Sequence, residues 1–305
     1  MIFAQAYEDA LFLPFNHTCV AEHFVPGTPD TDPGGTGVWV ILHNNHIYVQ
    51  QDAEGIRLPQ SPSTTLPTEI ITVGTQATAT HTFYCGQWDN LPCRVCFLPT
   101  TATPPANLTG LTGYSLRREE PDLDLALISM GVLAKHLHHW LGNSRFCSSC
   151  GAPMRPIPVT WGMECCGCGQ HHFPHIHPCA IVLVQREDKL LLTRKPTWEP
   201  GRYSHSAGFM EPGENLEETA YREVLEETGI HIRNIRYCGS QAWPFPSQLM
   251  AGFIADYASG TIQIQRDELE DAAWFSASKL PILPSRRSIS RFLIDLWLKE
   301  QGLES

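Results

Sequence analysis

Apolar positions along the chain change their rhythm several times. Up to about Pro99 they come as short runs, such as Val38–Leu42, His46–Val49 and Arg94–Leu98. Pro- and Gly-containing breaks such as Thr31–Gly37 separate them, a pattern that predicts strands and turns in preference to long helices. Pro99–Gly113 has the composition of a linker. Leu123, Leu127, Met130, Leu133, Leu137 and Leu141 then recur at three- and four-residue steps, which predicts a helix with Asp122, after Pro121, as its cap. His136, His138 and His139 read as the solvated face of that helix. From Asn143 to His177 the chain is rich in Cys, Gly, Pro and His, too short and polar to bury a core of its own. Cys179–Val184 and Leu190–Thr193 follow as strands flanking a turn at Glu187-Asp188. A second helix is predicted where Leu216, Ala220 and Val224 form a seam, with Asn215 as N-cap and Gly229 as stop. These shifts predict a β-rich domain ending in a helix over 1–142, a small segment over 143–176 and a further domain over 177–305.

Composition narrows the classes. A length of 305 residues suits two or three domains, and 42% hydrophobic residues supply real cores. A net charge of −11 excludes a surface that grips nucleic acid throughout, while leaving room for a local basic patch. No apolar run approaches the ~20 residues that cross a bilayer. The start, MIFAQAYEDALFLPF, has no Lys or Arg and does not read as a secretory signal. Eleven cysteines point to metal-binding thiols in a reducing compartment, with the cytoplasm expected.

Four of these cysteines carry a strong spacing. Cys147-x2-Cys150 and Cys165-x2-Cys168, fourteen residues apart, have the two-knuckle pattern of a zinc ribbon. Gly151, Gly167 and Gly169 sit where the chain must turn around each knuckle. Four thiolates leave no open coordination position, so one structural zinc per chain is expected, supplying much of this segment's folding free energy. Cys166 could compete as a ligand, but Cys168 keeps the regular spacing. Cys93-x2-Cys96 has no second pair nearby and reads as two buried thiols.

The second helix holds the other chemistry. Gly208–Ile230 reads GFMEPGENLEETAYREVLEETGI. Glu223, Glu226 and Glu227 lie three and four apart, so three like charges crowd neighbouring faces and destabilise a bare helix. Hard divalent cations between them would make sense of it. Glu214 can reach back toward the same place, Arg222 is placed to hold a carboxylate, and Gly208 and Gly213 permit a loop that brings the Ala207 carbonyl close.

This segment is the Nudix box, and the chain resembles Nudix hydrolases, which cleave nucleoside diphosphates linked to another moiety. Ser240-Gln241-Ala242-Trp243-Pro244-Phe245-Pro246-Ser247-Gln248 is similar to the signature SQPWPFPxS of the NADH pyrophosphatase family, also known as NAD-capped RNA hydrolases, whose members carry a zinc ribbon ahead of the Nudix domain. The resemblance runs from about Tyr114 to Leu298. Ala242 replaces a proline and Gln248 a serine. It implies an α/β Nudix sandwich, a mixed sheet between helices, preceded by the ribbon and a β-rich N-terminal domain. It also implies substrate contacts at Gln241–Gln248, with Trp243 and Phe245 as a wall against a planar base. Phe173 and Phe209 are implied to stack on the nicotinamide ring, and Glu268 to complete the metal site. Arg117 is implied to touch substrate, and Ser290 to do so through its backbone.

The activity implied is hydrolysis of NADH or NAD to nicotinamide mononucleotide and AMP. Two or three Mg²⁺ or Mn²⁺ ions would be held by Glu223, Glu227, Glu268 and the Ala207 carbonyl, with Glu226 as a further ligand or as the base. Free dinucleotide and NAD-capped RNA both stand as substrates, no membrane is involved, and relatives are usually homodimers. ADP-ribose hydrolysis and a non-catalytic metabolite sensor remain as alternatives.

Overall fold

The computed structural model describes residues 9–53, 55–64, 81–98, 110–118 and 123–303. The chain divides into two compact units, His17–His175 with Pro244–Pro246, and Met1–Asn16 with Ile176–Trp243 and Ser247–Ser305. We call them the ribbon unit and the box unit.

In the ribbon unit the short apolar runs become strands β1 (Phe24–Pro26), β2 (Thr36–His43), β3 (His46–Asp52), β4 (Gly55–Arg57), β5 (Gln60–Pro62), β6 (His81–Trp88), β7 (Leu91–Phe97) and β8 (Leu111–Ser115). The sheet order is β1-β6-β7-β2-β3-β4, with β5 on β2 and β8 on β3. Val38 to His43 are buried without a break, because β2 runs parallel to β7 and antiparallel to β3 in the middle of the sheet. A central strand covered on both faces loses the alternation of a half-exposed one. Cys93 and Cys96 are buried, as their strand context predicts. Of the expected linker, residues 99–109 lie outside the described residues, while Leu111 to Gly113 belong to β8 on the edge of β3.

Helix α1 (Leu125–Asn143) starts later than its leucine spacing predicts. Asp122 lies outside the described residues; Asp124 caps the helix by accepting from the Ala126 N–H at 2.7 Å. Its first two turns are buried all round, from Ala126 to Val132, whereas Leu133, Leu137 and Leu141 are half-buried. The three histidines expected on a solvated face are half-buried. His138 stacks on Phe97 with ring centroids 3.6 Å apart, and the His136 ring nitrogen Nε2 meets the His175 carbonyl at 3.1 Å. Three short antiparallel strands, β9 (Met154–Pro156), β10 (Met163–Cys165) and β11 (His171–His172), make the ribbon, in the order β11-β10-β9.

The box unit is an α/β sandwich. Its strands are β12 (His177–Arg186), β13 (Lys189–Arg194), β14 (Ser206–Phe209), β15 (Ile230–Trp243), β16 (Gln248–Gly260) and β17 (Asp271–Ser276), and its helices are α2 (Leu216–Thr228) and α3 (Ile289–Glu300). The order β15-β16-β12-β13-β17, with β14 on β12, is mixed: β12 and β16 are parallel and the other neighbours antiparallel. Alternation along β12 divides the core. Ala180, Val182 and Val184 pack with Ala220 and Val224 of α2, and Ile181 and Leu183 with Ile289, Phe292, Leu293 and Trp297 of α3. The Glu187-Asp188 turn joins β12 to β13, with Glu187 at φ 56°. Among the described residues no helix is long and apolar enough to cross a membrane.

Candidate active site

The ribbon's four thiols lie together, all within 4.8 Å of one another, with Cys147 Sγ 3.6 Å from Cys168 Sγ and Cys150 Sγ 3.4 Å from Cys165 Sγ. Tetrahedral zinc with Zn–S bonds of about 2.3 Å sets sulfur separations of about 3.8 Å, so this donor set fits zinc and closes around it. Backbone N–H groups of Cys168 and Gly167 aim at Cys165 Sγ, both at 3.3 Å, and bring that thiol down to about 6 against the opposing effect of burial. Those N–H groups favour the thiolate of Cys165, the form in which zinc takes it.

The carboxylate helix begins as predicted. Asn215 accepts from the Glu218 N–H while Glu218 accepts from the Asn215 N–H, both at 2.8 Å, a reciprocal capping box. Gly229 ends the helix in the left-handed region at φ 71°. Arg222 is the organising cation. Its guanidinium donates to both oxygens of Glu214, to Glu223 Oε1 at 2.7 Å, to Glu226 Oε2 at 3.1 Å and to the Phe209 carbonyl at 2.8 Å. One side chain thus ties the incoming loop to two acids of the helix. Glu214 is consumed by this clamp: with Arg222 first, then the Glu211 N–H and Thr219 hydroxyl, it is held down at about 2. Gly208 is required by close approach, because a β-carbon there would run into the Glu223 carboxylate.

Glu227 is the anomaly. It is 1% exposed, and among the described residues neither of its carboxylate oxygens makes a hydrogen bond of full geometry, the nearby Ser206 hydroxyl included. Burial pushes it up to about 7; the Ser206 hydroxyl and the Lys195 ammonium oppose this, and Glu223 and Glu268 reinforce it. Glu223 is also raised, chiefly by burial, with Arg222 opposing. Lys195 Nζ stands 3.9 Å from Glu227 Oε1 and 3.8 Å from Glu268 Oε2. A buried anion without hydrogen bonds is costly unless a cation compensates it, and one ammonium at nearly 4 Å is weak compensation. Hard oxygen donors with unspent lone pairs fit magnesium or manganese.

The remaining predicted residues divide by exposure. In the box unit Phe209 is 51% exposed, edge-on to His177 with centroids 6.3 Å apart, and Trp243 is half-buried. Ala207 is half-buried in β14, two residues before Phe209. Gln248 is half-buried on β16, paired in register with His177 and Trp243. Gln241 is fully buried and spends its amide on backbone: Nε2 donates to the Pro14 and Arg287 carbonyls at 2.8 and 2.7 Å, and Oε1 accepts from the Ile289 N–H at 2.7 Å. Ser247 is buried too, its hydroxyl 2.8 Å from His177 Nδ1. Ser290 is buried, with its hydroxyl 2.8 Å from that of Ser204 and its carbonyl 3.2 Å from His205 Nε2. In the ribbon unit Phe173 is 51% exposed, and Phe245 lies under two cations, Arg117 at 4.8 Å and Lys135 at 5.0 Å from its ring centroid.

Residues 175–296 match the NUDIX domain, and residues 143–173 match the NADH pyrophosphatase zinc ribbon domain. The chain is 39% identical over 267 residues to the NAD-capped RNA hydrolase NudC of Stutzerimonas stutzeri, covering 88% of this chain and 92% of that protein. It is 40% identical to the protein of the same name from Pseudomonas aeruginosa, covering 87% and 91% of the two chains. With the Pseudomonas fluorescens protein the identity is 50% over 70% of this chain and 76% of that one. The chain belongs to the NAD-capped RNA hydrolase family of Nudix hydrolases. It is therefore a metal-dependent hydrolase, with structural zinc in its ribbon and catalytic magnesium or manganese at its Nudix box.

Sequence reasoning passed over Lys195, Ser206 and the chain's first described residues. Lys195 sits in Arg194-Lys195-Pro196 with no motif around it, and only the folding of β13 brings it beside Glu227 and Glu268.

Proposed function

We propose that this Nudix hydrolase cleaves the pyrophosphate bond of NADH or NAD to nicotinamide mononucleotide and AMP, and removes NAD caps from RNA 5′ ends to leave a 5′ monophosphate. The observation that carries the reading is the buried, unbonded carboxylate of Glu227 beside Glu223 and Glu268. Such a cage is costly without cations and useful with them. In this reading Glu223, Glu226, Glu227 and Glu268, with the Ala207 carbonyl, hold the divalent ions. When bound, those ions supply positive charge that offsets the pyrophosphate and the departing phosphate. Arg222 keeps Glu223 and Glu226 aimed, and Glu226 can instead take the proton of the attacking water.

Phe209 and Trp243 offer apolar faces to a planar base. Within the ribbon unit, the resemblance implies substrate contacts at Phe173 and at Phe245 with Arg117, and Ala242, Pro244, Pro246 and Gln248 complete the signature sequence. Gln241, Ser247 and Ser290 act from inside the fold by fixing the backbone around them. The reading places the enzyme in the cytoplasm as a homodimer, which a sedimentation measurement checks. The deciding experiment is product analysis after incubation with NADH and Mn²⁺, beside NAD, NAD-capped RNA and ADP-ribose. Nicotinamide mononucleotide and AMP formed only with the metal support it, whereas preferred turnover of ADP-ribose replaces it with the alternative substrate.

A further inference from the structure

The first described residues are built into the box unit at the start of the signature. A short 3₁₀ turn, Ala10–Phe12, is capped by Asp9, which accepts from the Leu11 N–H at 2.8 Å. Leu13 follows, fully buried in the core beneath α3. Phe15 sits in the left-handed region at φ 76°, a strained conformation for a bulky residue, and packs on Trp243 with centroids 5.5 Å apart. Gly239 has φ 144°, and a β-carbon there would run into Ala10.

Asn16 completes the join. Among the described residues β15 is the edge strand of its sheet, and no described strand pairs with the outer side of its backbone at Ser240 and Ala242. The Asn16 amide takes that place: Nδ2 donates to the Ser240 carbonyl at 3.1 Å and Oδ1 accepts from the Ala242 N–H at 2.9 Å. A single primary amide thus pairs with the edge as a strand's peptide group would, one donor and one acceptor. Its other amide hydrogen returns to the Ala10 carbonyl at 3.0 Å, closing the turn on itself. Gln241, between the two clamped residues, reaches the Pro14 carbonyl of the same strap. The next residue is Trp243.

We infer that Asp9–Asn16 is a positioning strap for the signature, with Asn16 and Phe15 as positioning residues that fix the Trp243 ring for the substrate base. The inference rests on the proposed role of Trp243 in binding NAD(H). Leu13 anchors the strap and Asn16 transmits its position to the strand edge. Losing Asn16 should therefore loosen substrate binding without changing the chemistry that follows.

The test uses the full zinc- and manganese-loaded enzyme, with NADH as substrate and 5-fluorotryptophan labelling to follow Trp243, its resonance assigned through Trp243→Phe. Asn16→Ala should raise KM about fivefold to tenfold, the worth of roughly one hydrogen bond, with kcat and the manganese requirement unchanged. It should also shift or broaden the Trp243 resonance. Asn16→Asp keeps the oxygen that accepts from Ala242 and should fall between, which serves if the alanine variant folds poorly. Trp243→Ala, run in parallel, tests the underlying reading: a raised KM supports it. If Trp243→Ala raises KM while the Asn16 variants do not, the strap is structural only and the inference falls. If Trp243→Ala leaves KM unchanged, the role of Trp243 fails, and the fluorine resonance still decides whether the strap positions the ring: an unmoved signal in both Asn16 variants overturns that too.

Discussion

The sharpest consequence of the site is that Glu227 should cost the fold stability whenever it is ionised without a divalent cation. Its carboxyl titrates at about 7 in the folded chain, against the ordinary glutamate value of 4.5. The protonated form is therefore favoured on folding, and the associated stability is fully present below about pH 4.5 and lost as pH rises through 7. A shift of that size amounts to about 3 kcal/mol at pH 8. Glu227→Gln keeps the shape, removes the charge and should recover most of this penalty.

The assay is thermal unfolding of wild type and variant, zinc-loaded but dialysed free of magnesium and manganese, at pH 5 and pH 8. At pH 5 the unfolded chain is already partly ionised, so the variant's advantage should grow between the two pH values by roughly 2–3 kcal/mol. At about 2–4 °C per kcal/mol for a unit of this size, that is on the order of 5–10 °C in Tm. Comparing the two proteins at each pH cancels effects of pH on the ribbon. Saturating manganese should reverse the order, since wild type gains a ligand that the variant lacks, and the variant's turnover should fall about a hundredfold or more. A variant equally stable or less stable at pH 8 without these ions would falsify the account of Glu227 as an uncompensated buried acid.

Three further outcomes follow from the geometry. Arg222→Lys keeps the charge but loses the fork that reaches Glu214, Glu223, Glu226 and the Phe209 carbonyl together; kcat should drop at least about tenfold while the circular dichroism spectrum stays native. Gly208→Ala should displace the Glu223 carboxylate and weaken manganese activation about tenfold or more, read from the metal titration of turnover. Cys165→Ser should remove a ligand from the four-thiol cluster, with zinc content falling from one per chain to a small fraction and protease cutting within 143–173; intact zinc in that variant would point to Cys166 as a substitute ligand.

Much of the site was legible because its signals are local. Two CxxC pairs specify four thiolates wherever the surrounding sheet lies, and the folded ribbon gathers the same four sulfurs. The three-and-four spacing of Glu223, Glu226 and Glu227, the Asn215 cap and the Gly229 stop are properties of one helix, and helical geometry alone places them. Arg222 was legible as a clamp for the same reason.

What the sequence left open depends on chain segments far apart. Nothing local marks Lys195, which reaches Glu227 and Glu268 only because β13 and α2 meet across the sandwich. The family resemblance of the signature implies a substrate contact at Gln241, yet only the packed structure shows its amide spent on Pro14, Arg287 and Ile289. Asn16 lies 224 positions from Ser240 and carries no motif. Periodicity and short motifs encode what a helix or knuckle can bind, because those geometries are fixed over a few residues; which anion ends up buried, and which cation faces it, is set by long-range packing.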